Sequence, residues 1–272
     1  MRARRPSLIA RWLAAQRLRL ERGRPSTPAG DVAGERTLYR DVRGVFAVPL
    51  GRTASMAVRT AFVDNEVARA IGHGVDQIVL LGAGYDGRAM RFGGGATNWF
   101  EVDEPGTQAE KLRRLAARTV EPPAVGFIGL DLVAAHGPRD LDQALAAAGH
   151  DPGRASLFVC EGLFASLSLE SIASVCTTLR ARAPEGSALV ATLLVVPETG
   201  SRGQGLRRAV DLSLRLFGQR RRSEFYPGDA QKLMVVTGWR VTRSQVSPPS
   251  RIAPGSHLLV LAAEPDAAWP RP

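Results

Sequence analysis

Lysine is nearly absent from this 272-residue sequence: Lys111 and Lys232 are its only examples, and the other basic residues are arginines. Cysteine is almost as scarce. Cys160 and Cys176 each sit among apolar neighbours, which excludes a disulfide-framed scaffold and reads as two reduced core thiols. Only four histidines occur, His73, His136, His150 and His257, in loops or at element starts where surface or capping roles are expected. No metal site is expected. Long apolar runs are missing from the N-terminal segment, where Leu8-Ile9-Ala10 is interrupted by Arg11 and Trp12-Leu13-Ala14-Ala15 by Gln16 and Arg17. Neither a secretory leader core nor a membrane span fits there, and a cytoplasmic location is expected.

Apolar content and arginine are plentiful. With 44% hydrophobic residues the chain can bury one large core. The formal charge of +10 is concentrated at one end, since residues 1–24 hold eight arginines against the single acid Glu21. The expected organisation is a basic N-terminal helix and loop over 1–36 followed by one domain over 37–272. Arg4, Leu8, Arg11, Trp12, Leu18 and Leu20 can form an amphipathic basic helix, but aromatic interleaving is limited to Trp12. Nucleic-acid binding is therefore not expected, nor stable membrane insertion, and the oligomeric state stays open.

Pro25 to Gly34 reads as a loop, and Thr53 to Ile71 carries apolar residues at helical spacing. Short apolar runs at 77–82, 97–103, 124–131, 155–161 and 187–196 then alternate with helix-like segments at about 86–92, 105–118, 139–148 and 168–183. Pro105 suits a first helical position, while Ser168 and Glu170 suit a helix start. Near-continuous apolar strands alternating with helices predict an α/β fold with a parallel sheet covered on both faces. Two late strands follow, Trp239 to Val246 and His257 to Ala263. This is the layout of a class I methyltransferase sheet, Rossmann-like, parallel with an antiparallel last strand.

The first strand runs into Gly82-Ala83-Gly84-Tyr85-Asp86-Gly87-Arg88, which satisfies G-x-G-x-x-G. A dehydrogenase would set a pyrophosphate against this turn, yet Asp86 stands in it and repels phosphate. S-adenosylmethionine, with an ammonium, a sulfonium and one carboxylate, suits an acid beside free amides better. Capping of the following helix is the other reading of Asp86. Asp103, 21 residues beyond Gly82, ends the second strand, where a carboxylate can accept ribose hydroxyl protons; Glu101 lies on the same strand face. One of the two is the expected ribose acceptor. Asp131 and Glu161 end later strands, so the strand ends point to one shared crevice.

Together, Val79 to Arg88, Phe100-Glu101-Val102-Asp103-Glu104-Pro105, Leu130-Asp131-Leu132 and Glu161-Gly162-Leu163 resemble the leucine carboxyl methyltransferase family, including its bacterial branch of polyketide-type O-methyltransferases. Similarity spans roughly Arg43 to Ala263. The resemblance implies that Gly82, with Ala83 and Gly84, approaches the methionine portion of S-adenosylmethionine, Asp103 the ribose, Asp131 and Leu132 the adenine, and Glu161 the amino end. It implies that Arg59 enters the site and meets a carboxylate of cofactor or substrate, whereas the residues alone favour a surface salt bridge there. It also implies that the N-terminal segment is a helical lid. Where the family has a tyrosine that helps hold the acceptor carboxylate, this chain has Ser166, and the turn ends Gly87-Arg88 instead of threonine-arginine.

The expected activity is S-adenosylmethionine-dependent O-methylation of a carboxylate on a small, acidic metabolite or peptide of secondary metabolism, with Arg59 and Ser166 as acceptor-side candidates. A carboxylate is already ionised at neutral pH and needs no general base; a phenol, the alternative acceptor, would want one. Arg207, Arg208, Arg215 and Arg220 to Arg222 follow the fifth strand, where attraction of an acidic substrate is one reading and a solvated helix face the other, expected for at least half of them. An NAD(P)-dependent oxidoreductase is the rival of another class, and no Tyr-x-x-x-Lys pair serves it. A catalytically silent cofactor-binding protein is a further alternative.

Overall fold

Seven strands form one sheet in the order β3-β2-β1-β4-β5-β7-β6 in the computed structural model. The structure describes residues 8–20, 24–43, 54–117, 124–134, 136–196, 223–248 and 257–269. Arg4 and the arginines at 207, 208, 215 and 220–222 lie outside the described residues. The strands β1 (Gln77–Leu81), β2 (Asn98–Asp103), β3 (Val125–Gly129), β4 (Ser156–Cys160) and β5 (Ala188–Val195) pair in parallel. β7 (His257–Pro265) lies antiparallel between β5 and β6 (Trp239–Val246). Because β1 neighbours both β2 and β4, the order reverses there, and sheets of this kind bind ligands beyond the carboxyl ends of the strands at such a point.

Strand residues alternate between two covered faces. On one face Val79, Leu81, Phe100, Phe158 and Leu189 pack with Leu141 and Leu145 of α6 (Gly137–Ala147), and with Ile172, Val175 and Leu179 of α7 (Leu169–Ala181). On the other, Ile78, Leu80, Trp99, Val159 and Val190 meet Val63 and Val67 of α3 (Ala54–Gly72) and Ala89 of α4 (Arg88–Arg91). Both layers are fully buried, which explains why the strand sequences lack polar alternation. The predicted starts hold. Pro105 opens α5 (Pro105–Ala116), and the Ser168 hydroxyl accepts from the Ser171 amide at 3.2 Å to cap α7. α8 (Pro227–Val236) lies between β5 and β6 in sequence.

A third apolar cluster joins Ala14 of α1 (Leu8–Arg17), Leu38 and Tyr39 of α2 (Val32–Arg43), and Tyr85 of the glycine turn. The N-terminal helices are thus packed onto the crevice end of the sheet. The boundary expected between residues 36 and 37 falls inside α2. No helix among the described residues is long and apolar enough to cross a membrane.

Candidate functional site

The glycine turn is pinned to β2. The amides of Gly82 and Ala83 both donate to the Val102 carbonyl, at 2.8 and 3.2 Å. Gly82 and Gly84 have φ of 65° and 53°, left-handed values that L-residues avoid. The Gly84 amide donates to Asp103 Oδ2, and the Glu104 amide to Oδ1 at 2.6 Å. Burial pushes the Asp103 carboxyl up, against those two donors. Its neighbour Glu101 is differently engaged. Lys111 Nζ of α5 donates to Glu101 Oε2 and to the Asp86 carbonyl, both at 2.5 Å. Of the two acids expected as ribose acceptors, Asp103 alone remains against the turn, and Glu101 ties β2 to α5.

Beyond β1 and β4 the chain gathers charge out of water. Glu161, just past β4, meets three guanidinium groups: Arg17 Nη2 at 2.9 Å, Arg88 Nη1 at 2.5 Å and Arg59 Nε at 2.7 Å. Asp86 Oδ2 is shared by Arg17 (3.0 Å) and Arg88 (2.6 Å), while Asp86 Oδ1 accepts from the Arg88 amide at 2.9 Å. Asp86 thus closes the turn and pairs with Arg17 and Arg88. Asp64 of α3 holds Arg88, Arg91 and Arg24, each at 2.7 Å; Glu35 of α2 completes the group against Arg24 and Arg91.

Arg17, Arg24, Arg59, Arg88 and Arg91 thus face Glu35, Asp64, Asp86 and Glu161, five cations against four anions. Burial pushes the Glu161 carboxyl up, but Arg17, Arg88 and Arg59 outweigh it and hold it well below the usual carboxylate range. Burial, with the like charges of Arg17 and Arg88 nearby, lowers the Arg59 guanidinium despite Glu161. Arg17 Nε, Arg59 Nη2 and Arg88 Nη2 are buried without a hydrogen-bond partner among the described residues. Glu161 Oε1, Arg59 Nε and Arg91 Nε are likewise without a hydrogen bond, although Glu161 Oε1 and Arg59 Nε pair at 2.7 Å.

The remaining expected residues separate. Asp131 Oδ1 accepts the Val133 and Ala134 amides at 2.9 and 3.3 Å and so shapes the turn after β3, with Leu132 buried beside it. Ser166 lies in a 3-10 turn (Phe164–Ser166), its amide donating to the Leu163 carbonyl at 2.9 Å; no contact joins its side chain to the Glu161 cluster among the described residues. Arg59 is buried at Glu161 and is no surface salt bridge. Sequence reasoning missed Arg17, Asp64 and Lys111. An acid five positions after Arg59 in an apolar helix, and one of only two lysines, were the available signals.

The surface or capping role expected for His150 is corrected. It is buried between Phe100 and Phe158, accepts from Arg182 Nε at Nδ1 (3.2 Å) and lies 3.0 Å from Ser156 Oγ through Nε2. Burial, with Arg182 alongside, lowers its pKa to about 4.

Comparisons with known proteins match this geometry. A provisionally named S-adenosyl-L-methionine-dependent methyltransferase of Frankia alni is 38% identical over 143 residues, covering 51% of this chain and 48% of its own length, so the match spans about half of that relative. A protein of the same provisional name from Mycolicibacterium paratuberculosis is 29% identical over 230 residues, covering 80% and 70%. Among solved structures, a provisionally named methyltransferase from Thermobifida fusca superposes with a TM-score of 0.58 at 16% identity, covering 97% and 96%. Magnesium protoporphyrin IX methyltransferase from Synechocystis with bound SAH gives 0.53 at 15% identity, covering 84% and 93%. At these identities the structures speak for the fold alone, a class I methyltransferase sheet. The leucine carboxyl methyltransferase model matches residues 31–180, more than half of the sequence, and the chain belongs to that family.

Proposed function

We propose that this protein is an S-adenosylmethionine-dependent O-methyltransferase that esterifies the carboxylate of a small metabolite or peptide. One observation carries the reading: among the described residues the buried cluster beyond β4 holds one guanidinium more than it has carboxylates, with donors left over beside Glu161. A ligand carboxylate supplies the missing charge. The family match and the names carried by the relatives support the same donor.

S-adenosylmethionine, when bound, supplies an electrophilic methyl group on a sulfonium. The residues at the carboxyl edge fit it. Asp103 has acceptor capacity for ribose hydroxyls beyond the two amides it already meets. By the resemblance Gly82, Ala83 and Gly84 would meet the methionine portion, and Asp131 with Leu132 the adenine; Leu163 and Ala10 now stand over Gly82 and Gly84. The resemblance assigns Glu161 to the ammonium and Arg59 to a carboxylate; here Glu161 and Asp86 are already paired with Arg17, Arg59 and Arg88, and Arg59 Nη2 keeps a donor for a carboxylate. A carboxylate acceptor arrives ionised, so the chain's work is to align and desolvate it. His150 belongs to a separate network at the other end of the sheet.

Calorimetry with S-adenosylhomocysteine and with NAD tests the donor. Binding of the thioether and not of NAD is expected, and the reverse overturns the reading. Incubation with methyl-labelled S-adenosylmethionine and candidate acids tests the acceptor: a base-labile methyl ester is expected, and a base-stable product sinks the carboxylate assignment.

A further inference from the structure

One guanidinium of the Glu161 cluster comes from α1. Arg17 is the last residue of that helix, and its Nη2 lies between two buried acids, 2.9 Å from Glu161 Oε2 and 3.0 Å from Asp86 Oδ2. Burial pushes the Arg17 guanidinium down, but Asp86 and Glu161 outweigh it and raise it above its ordinary value. Arg24, Arg59, Arg88 and Arg91 already equal Glu35, Asp64, Asp86 and Glu161 in number, so among the described residues Arg17 is the cation beyond balance. The same helix lies against the glycine turn. Ala10 stands over Gly84, and Arg11 Nη2 pairs with Glu110 Oε1 of α5 at 2.5 Å.

A guanidinium N–H between two carboxylates offers what an ammonium would offer there, a positive charge and directed donors. The oxygens are fully engaged: Arg59 meets Glu161 Oε1, while Arg88 shares Glu161 Oε2 and Asp86 Oδ2 with Arg17. A further cation in a buried cluster that already holds a cation in excess is costly, so an arriving ammonium needs one of these arginines to leave. Arg59 and Arg88 belong to helices packed on the sheet, and Arg17 does not. The family resemblance implies a lid, in which the N-terminal helix and bound cofactor favour each other. Arg17 reverses that sign. On the methyltransferase reading, we infer that Arg17 is a built-in substitute for the ammonium of S-adenosylmethionine, so that docked α1 and the cofactor exclude each other. The exchange is cation for cation and leaves the charge count of the cluster as it was. The segment behind α1 can stay in place, because the Thr27 amide donates to the Arg91 carbonyl at 3.3 Å and the Asp31 amide to the Met90 carbonyl at 2.8 Å. Arg11, Ala14 and Arg17 can separate from their partners without breaking a strand or a turn.

The test uses the full chain, the variant Arg17→Met and two probes read by calorimetry: S-adenosylhomocysteine, which carries the ammonium, and methylthioadenosine, which lacks the amino-acid head group. A site blocked about nine tenths of the time shows an affinity about tenfold below its intrinsic value. Arg17→Met is accordingly expected to bind S-adenosylhomocysteine about tenfold more tightly than the wild type does, and methylthioadenosine within about twofold. Weaker or unchanged binding of S-adenosylhomocysteine makes Arg17 part of the lid or of the fold, and an equal gain for both probes reports a general loosening of α1; each overturns the inference. A second readout needs no variant. An undocked ten-residue helix is marginal in water, so amide hydrogen exchange over residues 10–17 is expected to quicken when S-adenosylhomocysteine saturates the wild type. Slower or unchanged exchange there overturns the inference as well. Failure of S-adenosylhomocysteine to bind either the wild type or Arg17→Met overturns the donor reading instead.

Discussion

Two buried polar networks occupy opposite ends of the sheet, and they differ in completeness. At the amino end, Gln77 Nε2 donates to the Asp151 carbonyl at 2.9 Å while Gln77 Oε1 accepts the Asp151 amide at 2.9 Å. Arg182 donates to His150 Nδ1, to the His150 carbonyl (2.6 Å) and to Asp142 Oδ1 (2.8 Å). Because His150 Nδ1 accepts, Nε2 carries the proton and donates to Ser156 Oγ, which in turn donates to the Arg154 carbonyl at 3.1 Å. None of these side chains has a buried polar atom left without a partner among the described residues. At the carboxyl end the Glu161 cluster retains, among the described residues, several guanidinium donors and Glu161 Oε1 without a hydrogen bond, and five guanidiniums against four carboxylates. A closed network holds a fold together; an open one is shaped for something that arrives later.

The contrast breaks first at Glu161. Glu161→Gln leaves Arg17, Arg59 and Arg88 facing a neutral group in a buried site, and a loss of about 3–5 kcal/mol in denaturant unfolding is expected. S-adenosylhomocysteine binding, followed by calorimetry, is expected to disappear with it. Arg182→Met opens the closed network instead and is expected to cost about 2–4 kcal/mol of stability. The folded fraction of that variant should bind S-adenosylhomocysteine within about twofold of wild type, because nothing at the crevice changes. Equal damage to binding in both variants would erase the distinction between the two ends.

Asp103→Asn sharpens the comparison from the ligand side. It keeps an oxygen for one amide but removes the charge, so S-adenosylhomocysteine affinity is expected to fall about 10- to 100-fold, with Tm changing by only a few degrees. The smallest effect concerns pH. His150 titrates near 6.5 when unfolded and near 4 when folded, so between these values the unfolded chain binds the extra proton. Its contribution to stability is whole above pH 6.5 and is lost as pH falls toward 4. Tm scans of wild type and His150→Gln across that window are expected to converge at the acid end.

The sheet was legible because its strands are buried on both faces and leave unbroken apolar runs. β6 begins and ends at the expected Trp239 and Val246, and the core helices start within two residues of expectation. Asp103, Asp131 and Glu161 were legible for a related reason: an acid that ends an apolar run is conspicuous. The partners of those acids were not. Arg17 reaches Glu161 across 144 positions of sequence, and nothing distinguishes it from the seven other arginines of residues 1–24. Lys111 lies in an amphipathic helix where a solvated lysine would look the same, so its burial depends on the register between α5 and β2.

Gly84 has two clients. Its bare α-carbon lets the amide meet Asp103, and it also admits α1, for a Cβ built there would stand 3.1 Å from Ala10 Cβ and 3.8 Å from Asp103 Oδ2. Positions 10 and 84 are therefore coupled in space although they are distant in sequence, and a side chain at 84 is admitted only if the first helix moves away from the turn.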